Sequence, residues 1–211
     1  MTALVRPALR SMNWLPPAVV GACVIALVLL VGRSGPTPPV TLLVRVTGIL
    51  VAAGMGGILD DPAQPSIAAS PVPEWVRRGI RAGAGWLVAW VMWSSALAVL
   101  LIRFEVTGLP LSRLALEFAT TLGLVTAAAG AALALGNASG STAGASAVLA
   151  FAFVMVRAPE GLSLVTAPVG SAQYVAETTR WVVVLAVTMA IAGWHLRDPA
   201  NRPLRSIRQG R

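Results

Sequence analysis

The sequence predicts an all-α integral membrane protein with six transmembrane helices, and three observations carry that prediction. Of 211 residues, 56% are hydrophobic and only 11% are charged, less than half the roughly 25% charged residues of a soluble domain. Apolar runs recur along the whole chain at lengths near the roughly 20 residues that cross about 30 Å of hydrocarbon. The arginines collect at the ends of those runs, where positive charge meets headgroups.

The first predicted span covers 14–32 and follows Arg6 and Arg10. No convincing cleavage site follows it and further spans do, so it reads as a retained helix and not a signal peptide. The second covers 40–59 and contains Arg45; the third, 82–102, carries no charge. The fourth covers 114–135, with Glu117 near its start. The fifth and sixth, 142–156 and 181–196, are short; arginine snorkelling or local bilayer thinning accommodates short spans. Between spans four and five, "GNASGSTAG" is small, polar and uncharged, which favours a turn over a continuous helix. Spans three to five are rich in Ala and Gly, which let helices approach closely where no hydrophobic effect drives them together. No internal repeat is evident, so 1–211 reads as a single transmembrane domain without the inverted-repeat design of many secondary transporters.

All sixteen basic residues are arginine. A chain without lysine has no Walker A P-loop, so any ATP hydrolysis belongs to a partner and the chain is expected not to be an enzyme. Net charge is +8, but no basic face interleaves with aromatics, so nucleic acid is not the expected partner. Cys23 is the only cysteine, which excludes an intrachain disulfide or a zinc cluster. With six spans, Arg6, Arg10, Arg77, Arg78, Arg81 and the five arginines from Arg197 onwards share one side. Arg33, Arg103, Arg113, Arg157 and Arg180 take the other. The richer side, with both termini, is predicted cytoplasmic.

That topology makes "GGILDDPAQPSIAASPVPEWVRRGIR" a cytoplasmic connection between spans two and three. Asp60 or Asp61 can cap a helix whose first position suits Pro62. "PAQPSIAAS" can make two turns, weakened by Pro65, and Ser70, Pro71 and Pro73 end them. A second helix then starts with Glu74 near the positive end of its dipole. Trp75 is placed at the interface, with Arg77, Arg78 and Arg81 towards headgroups. The short helix is either a docking knob for a soluble partner or a plain connector. A divalent ion at Asp60 and Asp61 lacks further acids at ligand spacing, so no metal or cofactor is expected in this chain.

Six spans, cytoplasmic termini, "LDDPA" followed by "SPVPEWVRRGIRAG", and the closing "LRDPANRP" resemble small actinobacterial permeases of the ABC-2 class of ABC transporters. The resemblance implies the membrane subunit of an exporter, paired with a second copy or a paralogue in the bacterial plasma membrane. Separate ATPase subunits would hold ATP and Mg. It implies a coupling helix over Asp61 to Ser70, with Asp60, Asp61, Pro62, Gln64, Ser66, Ile67 and Ser70 at the ATPase groove. The alternative is a non-transporting scaffold or accessory subunit of a larger complex.

Remaining features are read from the residues. "RAPEGLSLVTAPVGSAQYVAETTR" is uncharged from Gly161 to Ala176; it is either a re-entrant or interfacial helix pair or a loop lying on the surface. Arg45 within a span has two readings. It could line a substrate path, with Glu117 or Glu105 as partner, or snorkel to the outer edge; the second is the expected state. Trp86, Trp90 and Trp93 form one stripe at helical spacing, for packing or as an aromatic wall of a translocation path. Ser139 and His195 invite an intramembrane protease, but the residue two before Ser139 is Asn137, not the expected Gly. His195 also sits at the end of its span, so this reading is set aside.

Overall fold

The computed structural model describes residues 13–31, 40–60, 73–135, 139–157 and 171–196. Among them all regular structure is helical. The helices are α1 (Leu15–Leu30), α2 (Val40–Met55, extended by a 3₁₀ turn over Gly56–Leu59), α3 (Glu74–Phe104), α4 (Leu111–Ala134), α5 (Gly140–Arg157) and α6 (Ala172–Leu196). Four stretches are long and apolar enough to cross a membrane: Val40–Leu59, Trp75–Phe104, Leu111–Ala134 and Ala172–His195. Leu15–Leu30 is shorter; its 16 residues rise only about 24 Å.

Local chemistry sets the helix ends. Prolines occupy the first turn of α1, where a missing N–H costs nothing. Pro73 and Pro110 stand immediately before α3 and α4. After α3 the chain reverses through two left-handed residues, Glu105 at φ 50° and Gly108 at φ 82°. Glu105 is thus a helix terminator and no partner of Arg45. Ser171 opens α6, its Oγ accepting from Tyr174 N at 3.1 Å.

Two helices depart from the expected bounds. α3 begins at Glu74 and runs 31 residues without a break, so the short second start and the third span are one rod. α6 begins at Ala172, nine residues before the expected 181. The reason is Glu177, which is buried within the bundle instead of lying in an outer loop. Residues 172–176 of the uncharged outer segment therefore belong to α6, and 158–170 lie outside the described residues.

The bundle has a simple polarity. Arg103 near the end of α3 donates to the Val28 and Val31 carbonyls at the end of α1, so those ends coincide. A Cβ built on Gly57 would meet Pro16, and one on Gly54 would meet Val20, so α1 and α2 are antiparallel. α2 and α4 are central, with 67% and 61% of their apolar windows buried; α3 and α6 are 28% and 22% buried. Their outward residues, such as Leu87, Val91, Val183 and Val187, are apolar and exposed, as they are when lipid is the solvent. α4 and α6 run parallel in close register. Gly123 faces Thr188 and Gly130 faces His195, the Gly123 Cβ position lying 2.7 Å from Thr188 Oγ1. Only the absent side chain lets these backbones meet.

Candidate functional site

Three helices begin at the same end of the bundle, and each brings charge to one level near that end. Arg45 of α2 meets Glu117 of α4 through two contacts, Nε–Oε2 at 2.7 Å and Nη2–Oε1 at 3.0 Å. Arg113, one helical turn before Glu117, donates from Nε to the same Oε1 at 3.2 Å. Its Nη2 reaches Glu177 Oε2 of α6 at 2.5 Å. Gln173 Nε2 lies 3.5 Å from the other Glu177 oxygen, and the Tyr174 ring lies 4.8 Å from the Arg113 guanidinium carbon. Arg113 and Glu177 are almost fully buried, at 3% and 0% side-chain exposure, whereas Arg45 keeps 23%. Two arginines and two glutamates balance, which a low-dielectric interior requires of buried charges.

Below this network a cavity of about 340 Å³ opens between α2, α4, α5 and α6, at the lower end of the volumes that hold small molecules. Arg45, Glu117 and Thr121 form its polar patch; Leu42, Gly48, Phe118, Phe151 and Trp181 form most of its walls. Trp93 of α3 closes one side, stacked on Phe118 at 4.9 Å and 9°. Trp90 meets both rings edge-on at 5.5 and 5.0 Å. Gly48 lies against this stack: a Cβ there would be 3.2 Å from Phe118 Cδ2 and 3.3 Å from Trp93 Nε1.

The expected site residues are distributed unevenly. Arg45 does not snorkel to the edge; Glu117, one of its two expected partners, holds it by both oxygens. The tryptophan stripe divides. Trp93 lines the cavity, Trp90 packs behind it, and Trp86 turns away to donate from Nε1 to Thr126 Oγ1 at 3.0 Å. The segment that Asp60 is expected to cap, from 61 onwards, lies outside the described residues. Among the described residues the Asp60 carboxylate accepts from Gly140 N at 2.6 Å and Ser141 N at 3.2 Å, capping α5 from 80 residues away. Asp61, Pro62, Gln64, Ser66, Ile67 and Ser70 lie outside the described residues. Ser139 is the local cap of α5, its Oγ 3.3 Å from Thr142 N, while His195 in α6 sets its Cβ against Gly130 of α4. Among the described residues, no three His, Cys, Asp or Glu side chains come together as a metal site.

Arg113 and Glu177 escaped the sequence reading, which placed both in outer connections. The Arg113–Glu117 spacing of four residues was the available signal. Glu177 had a fainter one, a lone acid in an otherwise apolar stretch. Phe118, Phe151, Trp181 and Gly48 gave none, because aromatic and small residues in apolar runs look like ordinary packing.

Fold and site together define an all-helical bundle, compatible with a multi-pass membrane protein, with a balanced charge network roofing an aromatic cavity. No protein-family model matches the chain, and no match was found among curated proteins or solved structures.

Proposed function

We propose that the chain is the membrane-spanning permease subunit of an ABC-2 type transporter, an exporter worked by separate ATPase subunits. The cavity beside the Arg45–Glu117 pair carries this reading. Ionisable residues within membrane-spanning helices are costly and mark substrate routes. If all six helices cross the bilayer, Arg45 and Glu117 lie six residues into α2 and α4, about 9 Å along each axis. A scaffold has no evident use for an aromatic chamber at that depth.

Asp60 supports a route for force. It ends the 3₁₀ turn after α2 and caps α5, so a pull on the following segment, Asp61 to Ser70, would reach two walls of the cavity. ATP binding on the partner, with its Mg, would close the ATPase pair and move that segment. The helices would then exchange inward-open and outward-open packings. No residue of this chain performs covalent chemistry. Two copies, or this chain and a paralogue, would enclose the full path in the bacterial plasma membrane, termini in the cytoplasm.

The test is isolation of the tagged chain from its native membrane, with identification of any P-loop ATPase that copurifies. A P-loop ATPase should copurify with the wild-type chain and be lost on Ile67→Asp. Failure to copurify, or retention by Ile67→Asp, refutes the permease reading.

A further inference from the structure

Two N–H donors at the cavity are left without an acceptor among the described residues. Glu117 is largely engaged: Oε1 accepts from Arg45 and Arg113, and Oε2 from Arg45, three of about four lone-pair sites. The Thr121 hydroxyl donates to the Glu117 backbone carbonyl at 2.8 Å. Two donors remain. Arg45 uses Nε and Nη2 on Glu117, and its Nη1 has no acceptor among the described residues. Trp93 Nε1 likewise has none, and Gly48 beside it supplies no side chain to cover it. Both residues line the cavity, which brings two N–H donors to a space whose other walls, apart from Glu117 and Thr121, are aromatic and aliphatic.

Charge balance narrows what can meet them. An added anion would leave the four-residue network with an uncompensated negative charge in a low-dielectric site, at a cost its contacts would have to exceed. An added cation would have to displace an arginine from Glu117. We infer that the cavity binds an uncharged, largely aromatic or aliphatic molecule bearing an acceptor oxygen, a carbonyl or ester, held by Arg45 Nη1 and Trp93 Nε1. As the cargo of a transporter this rests on the permease reading; as a binding site it can be tested without it. The acceptor could be a dissolved solute or the ester of a membrane lipid.

The experiment is calorimetric titration of the full chain in lipid nanodiscs, with empty discs subtracted. The probes are four naphthalene derivatives matched in size: the methyl ketone, the ethyl hydrocarbon, the carboxylate and the methylammonium. The ketone should bind about 5- to 10-fold more tightly than the hydrocarbon, the worth of a satisfied hydrogen bond. Both charged probes should bind more weakly than the ketone. Trp93→Phe should erase most of the ketone's advantage while leaving the hydrocarbon's affinity unchanged. Filling the cavity by Ala152→Leu, or by Gly48→Val if that variant folds, should weaken ketone and hydrocarbon alike.

Repeating the ketone titration in ether-linked discs separates the sources. Tighter binding there assigns the acceptor to lipid esters competing in ordinary discs; equal binding assigns it to a solute; either supports the inference. Equal affinity for ketone and hydrocarbon overturns it. Tightest binding of a charged probe, or ketone binding unaffected by Ala152→Leu, does the same. None of these outcomes touches ATPase copurification, so this inference and the permease reading can fail separately.

Discussion

Arg45 and Glu117, 72 residues apart in sequence, are locked together by two contacts of 2.7 and 3.0 Å. Neither residue reaches this geometry unless α2 and α4 lie side by side at one depth and in one rotation. Removing one member strands the other. Glu117→Ala should cost about 3–5 kcal/mol, the range for breaking a buried ion pair, because Arg45 loses its acidic partner and Arg113 loses one of its two. Arg45→Met should cost less, since Arg45 is the more exposed partner. Unfolding of the detergent-solubilised chain by graded denaturing surfactant measures both.

Arg113 and Glu177 are coupled more tightly and buried more deeply. The single changes Arg113→Leu and Glu177→Leu should each be strongly destabilising. Together they should cost less than their sum, with an interaction energy of about 1–3 kcal/mol. Strict additivity in the same surfactant titration would show that the pair contributes nothing as a pair.

The glycines of α4 and α6 make opposite predictions. At Gly123 any side chain meets Thr188, so Gly123→Val should overpack the interface by about 1–3 kcal/mol. At Gly193 a Cβ meets nothing within 4 Å, so Gly193→Ala should stabilise by up to about 1 kcal/mol through helix propensity. The difference in midpoint between the two variants is the measurement.

Asp60→Ala should release the first turn of α5. Loss of an N-cap costs about 0.5–2 kcal/mol, and the effect should be local. Amide hydrogen exchange at Gly140 and Ser141 should accelerate, with the middle of α4 unchanged. Asp60→Asn, which keeps an acceptor oxygen, should recover part of the protection. Ser139→Ala should act on the same turn through Thr142, at a similar cost.

Much of this architecture is legible in the linear sequence. The four long apolar helices follow from runs of mostly apolar residues, and the break between α4 and α5 from the small polar residues near it. Breaks at Pro73 and Pro110 follow from proline's fixed φ and missing N–H. The early start of α6 was not legible. An acid in an apolar stretch looks like a loop until a buried arginine is seen beside it. The destination of Asp60 was hidden for a similar reason, since a carboxylate before a proline resembles a local cap and nothing nearby in sequence announces a helix start 80 residues on.

The sequence by itself determined that each apolar run forms a helix, though not every start, because a helix satisfies its backbone hydrogen bonds within its own segment. It also showed Arg45 and Glu117 as charges inside apolar spans, and charge in low dielectric is costly unless matched. Only the tertiary structure decided the matching. Pairs separated by 64 and 72 residues depend on how each helix is rotated and how deep it sits. Those choices are set by close contacts such as Gly123 against Thr188 and Trp93 against Phe118. The cavity is likewise a property of the packed bundle: it is the volume these contacts leave unfilled, and no single segment contains it.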